Sequence, residues 1–347
     1  MIEGHGDDTY RYADIKIDFS SNICVHGSHQ ALMTHLASHP ELIGHYPEPE
    51  AWSLEAMIAE RLKIKPEEVI VTNGATEAIY LIAQTFGMHP VIPTPTFSEY
   101  EDACNMFNGQ FCGSASAEPS SLELCRALAN SPKAMVNGQC CWLCNPNNPT
   151  GEVYDQLYID RMMAEFNLVV LDHSYEDYTD KHVMSARWGC QLPSSVQIHS
   201  MTKTYGVPGL RLGYITGHES LTRQIRRHMH PWSVSSLAIE AGKFLLQHDE
   251  LICKPDLNEA RRLQDLMQQS GDIIVTPSDT NFFLCKMLHY RAADLKEYLA
   301  QEHHILIRDA SNFKGLTPNH FRVASQKREE NDALVNAINQ FFKSGNG

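Results

Sequence analysis

The sequence predicts an α/β protein with a mostly parallel central sheet sandwiched by helices, followed by a smaller α+β domain. Two observations carry this. Short apolar segments recur at 69–72, 90–93, 141–144, 168–171 and 196–198, alternating with helices, and each ends at a polar or glycine-rich loop. After about residue 217 the alternation stops, and helical stretches lead into a separate group of strands. A chain of 347 residues, 43% hydrophobic and 20% charged, is enough for two domains.

Residues 1–45 are expected to form an arm packing with the small domain. The arm opens on the polar run Gly4-His5-Gly6-Asp7-Asp8, continues as a strand over 15–19 and then a helix over 28–39. The large domain is expected over 46–217. A proline-punctuated loop at 44–50 leads into a helix over 52–62, where Leu54, Met57, Ile58 and Leu62 share one face. The strand at 69–72 meets the turn Asn73-Gly74-Ala75-Thr76-Glu77 and then a helix. A glycine turn opening a helix presents unpaired N–H groups and a positive dipole end to an anion. Residues 218–347 are expected to hold a helical stretch from 221 past 244, broken near Pro231, and a helix over 255–269. Strands at 281–285, 304–308 and 320–324 and a closing helix from 329 complete that domain.

Charge and composition exclude several classes. The formal net charge is −14 and no long basic run occurs, which disfavours a nucleic-acid groove or an anionic membrane surface. No apolar run approaches the ~20 residues of a membrane span and no leader pattern opens the chain, so a soluble cytoplasmic protein is expected. The ten cysteines are scattered; Cys140, Cys141 and Cys144 read as buried thiols in a strand, because a zinc site would want a second ligand pair. With no HExxH among the eighteen histidines, no metal is expected.

The chemistry centres on the segment 199–214. Lys203 is expected on a loop after a short strand, with Ser200 three residues before it and Arg211 eight after. That set suits a covalent carbonyl carrier bearing a phosphate: the amine takes the carbonyl, while hydroxyl and guanidinium take the phosphate. Two other strand-end loops complement it. Asn148, among the prolines of 145–151, can donate to a phenolate oxygen; Asp172 can face a ring nitrogen, with Tyr175 three residues on. Singly, each also suits a structural role, as a turn or a helix cap.

Together, Asn148-Pro149-Thr150-Gly151, Asp172 with Tyr175, Ser200 with Lys203, and Arg211 resemble fold-type I pyridoxal-phosphate enzymes of the class I/II aminotransferase family, over nearly the whole chain. The resemblance implies that Lys203 carries pyridoxal 5'-phosphate and that Asp172 partners its ring nitrogen. Asn148 and Tyr175 would hold the ring hydroxyl; Ser200, Arg211 and Gly74-Ala75-Thr76 would hold the phosphate; Phe97 would stack on the ring. Tyr46 would reach the phosphate of a neighbouring subunit, which implies a homodimer.

The flanks are similar to a narrower group, the threonine-phosphate decarboxylases of cobalamin biosynthesis, themselves relatives of the histidinol-phosphate aminotransferases. The matching stretches are His5-Gly6, 18–23, Tyr46-Pro47, 73–77, Pro231-Trp232-Ser233-Val234, 305–308 and 321–324. This resemblance implies Arg308, Arg322, Asn22, His5 and Gly6 as contacts of a small phosphorylated amino-acid substrate. The expected reaction is decarboxylation of L-threonine O-3-phosphate to (R)-1-aminopropan-2-yl phosphate and CO2. The alternatives are an aminotransferase of the histidinol-phosphate type and an inactive cofactor-binding homologue. One departure stands out: the arm reads His-Gly-Asp-Asp where the group has His-Gly-Gly-Asn, and Asp7 and Asp8 would repel a phosphate unless turned away.

Overall fold

The computed structural model describes residues 8–24, 29–87, 89–107 and 140–344. The strand β1 (Ile17–Asp18) and helices α1 (Gln30–Ala37) and α2 (Trp52–Leu62) come first. An alternating series follows: β2 (Val69–Thr72), α3 (Gly74–Phe86), β3 (Pro90–Val91), α4 (Glu99–Met106), β4 (Cys140–Cys144) and α5 (Gln156–Glu165). It continues through β5 (Leu168–Asp172), α6 (Ala186–Gly189), β6 (Ser195–His199), the one-turn helix α7 (Met201–Thr204) and β7 (Gly213–Gly217). The remainder is α8 (Glu219–Arg226), α9 (Ser236–Leu246), α10 (Leu257–Gln268), β8 (Ile273–Val275) and β9 (Phe282–Met287). Then come α11 (Ala292–His303), β10 (Ile305–Leu306), β11 (Arg308–Asp309), β12 (His320–Ala324) and α12 (Arg328–Ser344).

The large sheet has six strands in the order β2-β7-β6-β5-β4-β3. Strands β3 to β6 run parallel, and β7 runs antiparallel to both neighbours. Every residue of β2, β4, β5 and β6 is buried, the pattern of strands covered on both faces. Side chains alternate between two cores. Trp142, Val170 and Ile198 pack with Ile79 and Ile82 of α3, while Leu143, Val169 and Leu171 pack with Tyr158 and Met162 of α5. Cys140, Cys141 and Cys144 are buried within this packing and not joined in disulfides.

Strand β7 is absent from the sequence reading, because Gly213 and Gly217 make its ends look like turns. Gly213 is there for close approach: a Cβ would lie 2.7 Å from the Ala75 nitrogen and 2.8 Å from the His199 carbonyl. The start of α3 can therefore sit against the sheet. One further expectation is corrected. Lys203 lies on α7, not on a loop, because Thr204 and Tyr205 N–H groups bond back to Ser200 and Met201. The helical stretch from 221 past 244 is broken around Pro231 as expected, into α8 and α9, with Trp232 at φ 63 between them.

The second sheet is antiparallel in the order β11-β12-β9-β8. Strand β8 and helix α11 were not read from the sequence. Of the arm expected over 1–45 to pack with this half, only the first part does so: β1 pairs parallel with β10, placing Ile17 opposite Ile305, while Leu32 of α1 is buried with Leu54 of α2 and Leu245 of α9. Phe19 is fully buried among Phe283, Leu295, Leu299, Phe321 and Phe341. Burying one such ring contributes roughly 1.5–3 kcal/mol, which holds the residues after Phe19 in place. Among the described residues no helix is long and apolar enough to cross a membrane.

Candidate active site

A cavity of about 270 Å³ opens at the carboxyl ends of β4, β5 and β6, facing the start of α3. Such a strand-end crevice is where open α/β sheets bind ligands. Ala75, Thr76, Phe97, Asn148, Asp172, Tyr175, Ser200, Lys203, Arg211, Asn22 and Arg322 line it together.

One end is built for an anion. Helix α3 begins at Gly74, whose φ of 78 favours glycine, and a Cβ there would lie 2.8 Å from Nη2 of Arg211. The guanidinium thus lies against the first residue of α3, whose Ala75 and Thr76 line the same cavity. Ser200, the residue before α7, does not cap that helix with its hydroxyl. Backbone donors, a hydroxyl and a guanidinium meeting at one place suit a phosphate.

The middle of the cavity carries the carboxylate. Asp172 ends β5, accepting the Ser174 N–H on Oδ1 at 2.8 Å and the Tyr100 hydroxyl on Oδ2 at 2.7 Å. Burial raises its pKa, and these hydrogen bonds oppose the rise. Tyr100 escaped the sequence reading; it lies three residues beyond Phe97, at the start of α4, and its ring stacks on Trp142 at 5.5 Å. The Phe97 ring meets it edge-on at 5.8 Å. Asn147 was also missed: it accepts the Thr96 hydroxyl at 2.8 Å and donates to the Pro95 carbonyl at 3.0 Å, tying the Asn148 loop to the Phe97 loop.

The far end meets the second sheet. Arg322 on β12 donates to Asn148 Oδ1 at 2.5 Å and to the Ser20 carbonyl at 2.6 Å. With the Asn148 oxygen occupied, its NH2 is the donor left for a ring oxygen. Asn22 donates to the Tyr175 hydroxyl at 3.2 Å. Burial pushes Tyr175 up to about 12, with the Arg322 charge opposing, so the phenol stays protonated. The Lys203 amine lies 5.7 Å from the Tyr175 ring centre. Buried Arg322 Nε and Asn22 Oδ1 have no hydrogen-bond partner, which fits a further polar ligand here.

Other expected residues lie elsewhere. Arg308 is not in the cavity wall but stands directly opposite Arg322 across β11 and β12. It donates to Asn312 at 2.9 Å and lies over the Phe313 ring at 5.5 Å. Tyr46 is 85% exposed and packs on Trp232, outside this chain's own cavity wall. His5, Gly6 and Asp7 lie outside the described residues. Asp8 is buried and its carboxylate is held by the Lys296 amine at 2.6 Å, which answers the expected repulsion with an ion pair. Away from the cavity, His35, His39 and Glu240 have ligand-type atoms within 4.8 Å of one another, and His35 bonds directly to Glu240 at 2.8 Å.

The amine, the buried carboxylate, the amide and phenol donors and the anion cradle all match one group, a pyridine aldehyde bearing a phosphate. The chain belongs to the family described as aminotransferase class I and II, whose family description matches residues 14–338. The solved L-threonine-O-3-phosphate decarboxylase of Porphyromonas gingivalis is 34% identical, with a TM-score of 0.84, covering 94% of this chain and 100% of that one. The threonine-phosphate decarboxylase of Salmonella typhimurium is 28% identical, over 94% of this chain and 91% of its own length. A histidinol-phosphate aminotransferase of Mannheimia succiniciproducens is 29% identical, over 84% of this chain and 81% of its own. The fold is the fold-type I arrangement, with a mixed, mostly parallel central sheet between helices.

Proposed function

We propose that this chain is a pyridoxal 5'-phosphate-dependent enzyme that decarboxylates L-threonine O-3-phosphate to (R)-1-aminopropan-2-yl phosphate. The observation that carries this reading is the pairing of Arg308 with Arg322 beside the cavity: two buried guanidiniums suit a substrate with two anionic groups. The Porphyromonas and Salmonella relatives support it.

When bound, the cofactor supplies an electron sink for the bond that breaks at the substrate α-carbon. Lys203 would hold the cofactor aldehyde, and its amine, when not so engaged, would carry protons at the α-carbon. Asp172, kept in place by Tyr100 and Ser174, would hold a proton on the ring nitrogen. Tyr175 and the Asn148 NH2 would bind the ring oxygen. Thr76, Ser200 and Arg211 would bind the phosphate, and Phe97 would shield the ring from water. Arg322 and Arg308 would hold the substrate anions and so select which bond at the α-carbon breaks. This positioning separates loss of CO2 from loss of the α-proton. In decarboxylation, the α-carbon releases CO2 and takes up one proton, so the phosphorylated amine leaves with its nitrogen. A homodimer in which Tyr46 completes the neighbour's phosphate site fits the exposure of Tyr46 and Trp232, 49% for the latter.

A second reading, transamination of a phosphorylated amine such as histidinol phosphate, is favoured by the Mannheimia relative. One incubation separates them. The enzyme with pyridoxal phosphate and L-threonine O-3-phosphate, without a keto acid, should release CO2 and give the decarboxylated mass. Turnover only with histidinol phosphate and 2-oxoglutarate would establish the aminotransferase instead.

A further inference from the structure

Directly after Tyr175 comes a 3-10 turn, Glu176–Tyr178, to which no role has been given. Its three successive side chains all bind the segment that carries Lys203. Glu176 meets His199 Nδ1 at 2.7 Å, and Asp177 accepts the Thr204 hydroxyl at 2.7 Å. The Tyr178 hydroxyl donates to the carbonyl of Lys203 itself at 2.8 Å. That same oxygen accepts the backbone N–H of Cys24 at 2.9 Å.

Cys24 ends the segment 20–24, whose Ser20, Ser21, Asn22 and Ile23 line the cavity. The segment also receives Arg322 on the Ser20 carbonyl and reaches Tyr175 through Asn22. One phenol oxygen therefore joins the backbone of Lys203 to the wall on the substrate side. The Tyr178 ring is fully buried among Tyr175, Phe282 and Cys253, packing that a phenylalanine would keep. The hydroxyl is the part whose purpose packing does not explain.

We propose that Tyr178 is a positioning residue, whose hydroxyl locks the segment 20–24 to Lys203 so that substrate and amine keep one separation. The Lys203 carbonyl also accepts the Gly206 N–H at 3.3 Å, whereas the Cys24 N–H is met by the Tyr178 oxygen; a single hydroxyl can join the two backbones because it donates once and accepts once. Without it the direct tie between the two segments is lost and only the Arg322–Ser20 and Asn22–Tyr175 bonds named above hold 20–24, and displacements of about 1 Å are costly where reacting groups must be aligned. The inference rests on the proposed function only for the choice of substrate.

The test compares Tyr178→Phe with Thr204→Val, which removes the neighbouring tie to α7 without touching 20–24. Both are made in the full chain loaded with pyridoxal phosphate. One readout needs no substrate: the pH midpoint of the visible absorbance change. The other is KM and kcat for L-threonine O-3-phosphate. Y178F should move the midpoint and raise KM roughly tenfold, as loss of one buried hydrogen bond allows, while T204V lowers only Tm. A Y178F enzyme with lower Tm but parental midpoint and KM overturns the proposal, as does T204V reproducing both shifts. If Y178F does not fold, hydrogen exchange on the unmodified chain decides. The Cys24 amide should open together with those of Thr204 and Tyr205, and exchange faster by more than roughly a hundredfold overturns the coupling. A parent enzyme that leaves threonine phosphate untouched, with the midpoint still shifted in Y178F, defeats the proposed substrate and leaves the role of Tyr178 standing.

Discussion

Arg308 and Arg322 stand opposite each other as register partners across β11 and β12, both buried, and neither is in a described ion pair with a carboxylate. Burial lowers the pKa of both, that of Arg322 to about 10, where the Arg308 charge also contributes. Two guanidiniums kept in this way are poised to gain from a shared anionic ligand. Inorganic phosphate should therefore raise the Tm of the parent and much less that of R308Q. For L-threonine O-3-phosphate, R308Q should raise KM by roughly ten- to a hundredfold, the value of one hydrogen bond to a charged group. Steady-state kinetics and thermal denaturation check both statements.

The Tyr100 hydroxyl on Asp172 gives a prediction about rate. Tyr100→Phe removes one hydrogen bond to the carboxylate, whose buried charge is then less well supported. We expect kcat to fall roughly tenfold with little change in KM, since the bond acts on the reacting ring and not on substrate capture. Equal kcat in Y100F and parent would exclude this role.

Gly74 should be intolerant of a side chain. In Gly74→Ala the new methyl would sit 2.8 Å from Arg211 Nη2 on a backbone with φ 78, so Arg211 must leave the start of α3. Losing its charge-assisted bond should weaken pyridoxal phosphate binding by roughly ten- to a hundredfold. Fluorescence titration of the apoprotein measures this directly.

His173 supplies a pH dependence. It is fully buried, both ring nitrogens lack hydrogen-bond partners, and it lies near Glu176 and His199. Burial pushes its pKa down to about 4; Glu176 opposes and His199 adds to the effect. The unfolded chain takes up this proton near pH 6.5, the native one only near 4, so stability is lost as pH falls through that window. The loss reaches about 3 kcal/mol at the acid end. His173→Phe should flatten this limb in urea titrations at pH 7 and pH 5, leaving the neutral-pH value close to the parent's.

The residues proposed for cofactor chemistry are legible in the sequence because each sits on a local signal. Lys203, Asp172 and Asn148 follow apolar strands, and Gly74 interrupts a strand–helix junction. What the sequence hid was which of these would be joined. Asn148 reads as a donor to a ring, yet its oxygen is taken by Arg322, 174 residues away. Tyr100 belongs to no motif, yet its hydroxyl reaches Asp172, 72 residues on. Tyr178 has no motif of its own.

The sequence by itself determined the alternation of strands and helices, the buried strands of the large sheet and the inventory of reactive groups, because periodicity and side-chain chemistry are local properties. Only the tertiary structure decided the reversed direction of β7, the meeting of Arg308 with Arg322 and the clamp on Lys203. These depend on where the chain returns in space: Gly213 admits the start of α3, Phe19 anchors the arm in the second core, and the register of β11 with β12 sets the two arginines side by side. A one-residue slip in that register would turn a side chain to the other face of its sheet, a choice that no local pattern in either short strand fixes.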